Sequence, residues 1–146
     1  YQTICKGKIV QESTLEGYLY KEESTNTVKV YADPSEAPAE ASYIRTIYMP
    51  NAVAGDFTLL TVELVTGKTH QIRAHFAWAG HPLLGDPKYG NEAVNRTLKQ
   101  TYGIGRQLLH AWQIRQKDAA SGILPTGGIT CPLPEDFQRL LSTAGI

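Results

Sequence analysis

Leu59 to Gly90 reads LLTVELVTGKTHQIRAHFAWAGHPLLGDPKYG, and within it the spacing of apolar residues changes from that of a strand to that of a helix. Apolar and polar residues first alternate, which predicts a strand over Thr58 to Val65 with one buried face. From His70 to Ala79 the apolar residues recur at helical spacing, with Thr69 as the expected N-cap, until Gly80 ends the pattern. The stretch therefore predicts a strand, a tight turn and a helix.

The start of this helix carries several polar side chains. Successive helical residues lie about 100° apart, so His70 and Arg73 fall on the same side, one turn from each other. The junction presents Lys68, His70, Gln71 and Arg73 at one rim, where free backbone N–H groups also attract an anion. A solvated helix end with a surface arginine has the same spacing, so spacing alone leaves both interpretations open.

The rest of the chain is mostly of β type. Strands are expected over Tyr1 to Val10, Leu15 to Tyr20, Thr27 to Tyr31, Tyr43 to Met49 and Leu108 to Arg115. Helices are expected near Glu92 to Gln100 and over Pro134 to Ser142, and DPSEAPAE, at 33–40, is expected to be a loop. Five or more strands with few helices predict an α+β or mixed α/β sheet protein.

Composition excludes more than it identifies. The 146 residues include 14 basic and 14 acidic ones, so the net charge does not point to nucleic acid. A modest basic segment nevertheless runs from Gly67 to Lys88. No apolar run of about 18 residues is present, so no membrane span is expected. Cys5 and Cys131 lie far apart in the sequence, which favours isolated thiols in a reducing cytosol.

The four histidines do not predict a metal site. His70 and His75 are five residues apart, so they diverge around a helix, whereas helical metal pairs favour a spacing of four. No paired cysteines support zinc. His75 and His110 are expected to be buried and hydrogen-bonded, His75 at the edge of the apolar stripe and His110 on the packed side of a strand.

Three blocks of sequence carry a resemblance to a known family. They are ELVTGKTHQIRAH from Glu63 to His75, GHPLLGDPKYG from Gly80 to Gly90, and LHA from Leu109 to Ala111. In this order they resemble the RluA-type RNA pseudouridine synthases. Tyr1 to Gly7 and Leu133 to Phe137 are similar to the family's tyrosine-led strand and its usual ending, so the resemblance covers the whole chain. Lys68 stands where many members have arginine.

The resemblance implies a partial pseudouridine synthase catalytic fold, with a mainly antiparallel mixed sheet and few helices. It implies a cytoplasmic enzyme that isomerises uridine in ribosomal or transfer RNA without a cofactor. Arg73 matches the arginine that pairs with the family's catalytic aspartate, and Tyr1 matches the tyrosine that packs on the base. The candidate RNA-binding residues, by position in the motif, are Lys68, His70, Gln71 and Lys88.

One departure from the family pattern matters more than the match. The catalytic aspartate belongs to an Arg-Leu-Asp block followed by Thr-Ser-Gly, and this sequence contains no such block. Residues 1–146 are therefore expected to be the C-terminal portion of a catalytic domain, without its aspartate-bearing portion, and inactive alone. Asp86 is expected to have a structural role in its loop.

Two other classes of protein remain open at this point. The main rival is a non-catalytic RNA-binding module that has kept the motif, and an unrelated β-rich interaction domain is a third alternative. The sequence carries no mark of an oligomeric state.

Overall fold

A computed structural model describes residues 1–118 and 122–145. The strands are β1 Gln2–Lys6, β2 Ser13–Glu22, β3 Thr27–Tyr31, β4 Ser42–Ala54, β5 Phe57–Leu64, β6 Leu109–His110, β7 Gln113–Ile114 and β8 Ile129–Thr130. The helices are α1 Gln71–Trp78, α2 Glu92–Tyr102 and α3 Glu135–Ala144. Six strands form one sheet in the order β3-β2-β4-β5-β1-β6, and every pairing in it is antiparallel. The predicted α+β class with a mainly antiparallel sheet is confirmed.

The centre of β5 is buried on both faces of the sheet. Neighbouring residues of a strand point to opposite faces, and Leu59 and Leu60 are both buried although they belong to different apolar clusters. Leu60 packs in the cluster of Ile72 and Phe76 from α1. Leu59 packs on the other face, in a cluster that includes Phe137 from α3. The sheet therefore holds α1 against one face at the end of β5.

The segment before Asp86 is bonded to β1. The Lys6 N–H donates to the Pro82 carbonyl at 2.9 Å, and the Leu84 N–H donates to the Ile4 carbonyl at 2.9 Å. These bonds continue the sheet's hydrogen-bonding pattern without a further full strand. They bring Asp86 beside α1.

The start of α1 differs from the expected one. Thr69 is not the N-cap: that position belongs to His70, which has left-handed backbone angles of φ 55° and ψ 20° and makes no side-chain cap bond. The predicted helix from His70 to Ala79 is otherwise correct, because Gln71–Trp78 lies within it. A left-handed turn at a non-glycine residue is uncommon and is held only where its surroundings fix it.

Two predicted strand boundaries were wrong. The strand expected to end at Met49 continues to Ala54, and its pairing with β5 shifts register between Pro50 and Ala52. A shift of this kind lets a strand accept proline, which cannot donate to the ladder. The strand expected over Leu108 to Arg115 is instead two short ones, because β6 pairs with β1 whereas β7 pairs with β8.

Helix α1 is fixed to β4 by a buried histidine. His75 has no exposed surface, and its Nδ1 lies 2.9 Å from the Thr46 hydroxyl. Thr46 accepts a hydrogen bond from Gln71, so we assign its own hydrogen to Nδ1, which makes the imidazole neutral. The expected burial of His75 is confirmed. His110, by contrast, is only half-buried and lies against Phe137.

We predict that the free energy of unfolding decreases in mild acid because His75 is buried as a neutral imidazole. Burial lowers the pKa of this imidazole, and the nearby Glu16 backbone offsets only part of that effect. Its contribution is complete above the unfolded pKa of about 6.5 and is lost progressively below it, by at most about 1.4 kcal/mol at pH 5.5. Urea unfolding at pH 7.5 and 5.5 measures this change.

His75→Asn is the matched variant, because asparagine does not titrate in this range. Its unfolding free energy should change less between the two pH values than that of the wild type. The pKa of His70 is also lowered, so some pH dependence should remain. Equal slopes for the two proteins would contradict the prediction.

The described residues contain no helix that is both long and apolar enough to cross a bilayer.

Candidate active site

A cleft of about 380 Å³ opens where the first residue of the chain, the end of β5 and the start of α1 meet. Its lining residues are Tyr1, Leu64, Lys68, His70, Gln71, Ile72, Arg73, Gln107 and Leu109. Five of the six residues singled out from the sequence therefore lie around one space, and Lys88 does not line it. A larger groove of about 560 Å³ between α2 and α3 lies away from these residues.

Arg73 is held by an aspartate. Its Nε donates to Asp86 Oδ2 at 2.7 Å and its Nη2 donates to Oδ1 at 2.8 Å, which makes a bidentate ion pair. The Asp86 side chain is fully buried, and 13% of the Arg73 side chain is exposed. The backbone N–H groups of Lys88 and Tyr89 also donate to Oδ1, at 2.9 and 3.0 Å. Asp86 is thus surrounded by donors and has no access to the cleft for chemistry of its own.

The other edge of the guanidinium is open. Arginine has five N–H donors, and Asp86 engages two of them. Within residues 1–118 and 122–145, nothing accepts a hydrogen bond from Nη1. The guanidinium carbon lies 5.2 Å from the centre of the Tyr89 ring, which supports its position further. Arg73 therefore presents an unoccupied pair of donors, Nη1 and the second N–H of Nη2.

The charges of the pair stabilise each other. Burial alone would raise the pKa of Asp86, but the hydrogen bonds from Arg73 and from the Tyr89 and Lys88 amides outweigh it, and the pKa is lowered. The hydrogen bond to Asp86 raises the pKa of Arg73. Both groups are charged at neutral pH.

His70, which lines the cleft, is bonded to Tyr89. The Tyr89 hydroxyl accepts from the Val28 N–H at 3.0 Å and lies 2.9 Å from His70 Nδ1. Since that hydroxyl already accepts one bond, we assign its hydrogen to Nδ1, which leaves Nε2 protonated in a neutral ring. Burial, then the positive charges of Arg73 and Lys88, lowers the pKa of His70. His70 is therefore neutral at pH 7.

Gln71 needs a correction. It was expected to face RNA, but only 2% of it is exposed. Its Oε1 accepts from the Lys68 N–H and the Thr66 hydroxyl, each at 3.0 Å. Its Nε2 donates to the Arg45 carbonyl at 3.2 Å and to the Thr46 hydroxyl at 3.1 Å. The amide joins the turn to β4, and these four bonds leave it no free group for RNA. The sequence did not reveal this because a glutamine at a helix start has the same pattern whether it holds a turn or contacts RNA.

The remaining candidates occupy different positions. Tyr1 is held in the sheet by two 2.8 Å backbone bonds with Val62, and 38% of it is exposed. Lys68 is exposed at the rim of the cleft. Lys88 is exposed behind the Arg73–Asp86 pair, where its Nζ donates to the Asn26 carbonyl at 2.6 Å.

Two features of the site were missed in the sequence. Gln107 and Leu109 line the cleft, and the LHA block containing Leu109 was the available signal. For Asp86 the sequence indicates a structural role in its loop but no partner. Its place between Gly85 and Gly90 was the signal for a tightly packed loop. Nothing in the spacing of Arg73 and Asp86, 13 residues apart, indicated that they meet.

This chain is similar to known proteins over most of its length. The family model described as RNA pseudouridylate synthase matches residues 1–78. An uncharacterized RNA pseudouridine synthase of Chloroflexus aurantiacus is 33% identical over 141 residues, which is 97% of this chain. The chain belongs to the RNA pseudouridylate synthase family. A ribosomal large subunit pseudouridine synthase C of Haemophilus ducreyi is 42% identical over 105 residues, which agrees with the RluA type.

Solved structures of the family show the same fold. Human RNA pseudouridylate synthase domain containing 4 superposes over 99% of this chain with a TM-score of 0.73 at 17% identity. The chain covers 60% of that structure. It spans 40% of the Chloroflexus relative and 30% of the Haemophilus one. Members of this pseudouridylate synthase family thus extend well beyond the segment that matches.

Proposed function

We propose that this chain supplies the arginine side of the active site of an RNA pseudouridine synthase. The reaction detaches uracil from C1′ of a uridine, turns it and rejoins it to the ribose through C5. The substrate proposed is ribosomal or transfer RNA in the cytoplasm, since relatives carry both RNA types in their names. The observation that carries the proposal is the open donor edge of Arg73 at the cleft.

The arginine suits a carboxylate nucleophile. A guanidinium is always charged, and its planar fork of N–H groups matches the two oxygens of a carboxylate. An aspartate bound to Nη1 and Nη2 would stay ionised and aimed at the nucleotide. Asp86 cannot be that nucleophile, because it is buried and already accepts four hydrogen bonds. We propose that the nucleophile is an aspartate of the Arg-Leu-Asp block, which residues 1–146 do not contain.

The other groups around the cleft fit a flipped uridine. Tyr1 offers an exposed ring at one wall, where a base can stack. Neutral His70 would donate from Nε2 to an RNA oxygen. Lys68 at the rim would meet a phosphate, and Lys88, beyond the cleft, would meet the backbone farther along.

We predict that pseudouridine forms only when an aspartate is supplied. The C5 hydrogen of uridine is lost as the new carbon–carbon bond forms, so release of label from RNA carrying tritium at C5 measures turnover. The isolated chain should stay at background, whereas a protein that joins this chain to an Arg-Leu-Asp segment should turn over. Arg73→Lys in the joined protein should lower the rate by about 100-fold or more.

A matched control is Arg106→Lys, which changes an arginine that pairs with Asp136 and does not line the cleft. Its rate should stay near that of the wild type. Label release by the isolated chain would contradict the missing nucleophile. A joined protein that releases none from ribosomal or transfer RNA would contradict the proposed function.

A second function, a non-catalytic RNA-binding module, is favoured by one observation. Among the residues that the structure describes, no carboxylate engages the open edge of Arg73. RNA binding by the isolated chain, together with no label release from the protein joined to an Arg-Leu-Asp segment, would support this alternative.

A further inference from the structure

We propose that Asp86 is a positioning residue, which fixes Arg73 so that its second donor edge faces the catalytic aspartate. This inference rests on the proposed function. Asp86 itself touches neither the cleft nor the substrate, because its side chain is fully buried. It acts through Arg73.

The geometry of the pair gives the reason. A guanidinium has two forked edges, one formed by Nε and Nη2 and the other by Nη1 and Nη2. Asp86 takes the first edge with bonds of 2.7 and 2.8 Å, which leaves the second free. Without Asp86, the long arginine side chain could rotate, and either edge could face the cleft. The Asp86 carboxylate thus determines which edge of the guanidinium can bind the carboxylate of the catalytic aspartate.

Asp86 is itself held rigidly. The amides of Lys88 and Tyr89 fix its Oδ1, and the Asn95 side chain donates to its backbone carbonyl at 2.8 Å. The same Asn95 side chain accepts from the Gly85 N–H at 2.8 Å. The loop is therefore anchored on both sides of Asp86, and Arg73 is positioned against a fixed support rather than a mobile side chain.

The test is a double-mutant cycle in the joined protein described above. Asp86→Asn should lower kcat by about 100-fold, since small misplacement of a catalytic group costs that much. KM for RNA should stay within a few-fold, because no RNA contact is removed. In the Arg73→Lys protein, adding Asp86→Asn should lower kcat little further, because no guanidinium remains for Asp86 to orient.

The control is Asp136→Asn, which removes an aspartate paired with Arg106 outside the cleft, and its kcat should stay near that of the wild type. Full activity of Asp86→Asn, or losses that multiply in the double variant, would overturn the inference while leaving the proposed function intact. A joined wild-type protein with no activity would overturn both. If Asp86→Asn fails to fold, Asp86→Glu takes its place, because it keeps the charge but moves the carboxylate. It should show the same loss of kcat. An unchanged kcat for Asp86→Glu would overturn the inference.

Discussion

Replacing Arg73 with methionine should lower the free energy of unfolding by about 3–5 kcal/mol, the usual cost of leaving a buried charge without its partner. Asp86 would keep only its two backbone donors, from Lys88 and Tyr89, in a site that excludes water. Methionine preserves most of the volume of the arginine stem, so the loss reports charge rather than packing. Urea unfolding at pH 7 measures it.

The penalty should depend on pH. In the wild type the pKa of Asp86 is lowered, so its contribution is complete above the unfolded value of about 3.9 and is lost as pH falls below it. Without Arg73, burial is expected to raise this pKa instead. The Arg73→Met penalty should therefore be largest at neutral pH and shrink in acid, where the carboxyl is protonated in both states.

Two comparisons isolate the buried pair. Adding Asp86→Asn to Arg73→Met should restore part of the lost stability, because no uncompensated charge remains. Arg106→Met breaks an ion pair whose arginine and aspartate side chains are 48% and 17% exposed, and it should cost only about 1 kcal/mol because the Asp136 carboxylate still reaches water. Equal losses for Arg73→Met and Arg106→Met would show that the buried pair is no stronger than a surface one.

Gly85→Ala should lower the free energy of unfolding by more than about 3 kcal/mol, through strain and overpacking together. A Cβ added at Gly85 would lie 2.0 Å from the backbone oxygen of Arg106. Its φ of +79° is also one that residues with side chains rarely adopt. Backbone atoms cannot move aside as a flexible side chain can, so the loop that carries Asp86 must shift.

Two other glycines separate these causes. Gly80 has φ of +85° with no atom near an added Cβ, so Gly80→Ala should cost only about 1–2 kcal/mol from conformation. Gly67 has neither a close contact nor a positive φ, and alanine there should change stability by less than about 1 kcal/mol. Thermal or urea unfolding of the three variants gives the ranking, and Gly85→Ala no worse than Gly80→Ala would refute the steric argument.

Local patterns predicted the elements of the site well. Alternation placed β5, helical spacing placed α1, and both were correct to within about two residues, since these periods follow directly from backbone geometry. The rim that carries Arg73 was predicted from the same spacing. Family resemblance added the expected roles of Arg73 and Tyr1, which no periodicity contains.

Long-range pairing was not predictable from the sequence. The Arg73–Asp86 pair exists because the segment ending at Leu84 is bonded to β1, some 80 residues earlier in the chain. Likewise, Gln71 reads as a polar surface residue until β4 is placed beside it. Thr69 has a side chain suited to an N-cap, yet that position falls one residue later, at His70, which makes no side-chain cap bond.

The hydroxyl of Tyr89 links the β2–β3 hairpin to the cleft, because it binds the Val28 N–H as well as His70. The hairpin tip, 23–26, is exposed and can change in length without disturbing that bond. A slip of β3 by a single residue would instead turn the Val28 amide away and leave the imidazole free to rotate. Insertions and deletions should therefore be tolerated at the hairpin tip, whereas those that shift the register of β3 should not.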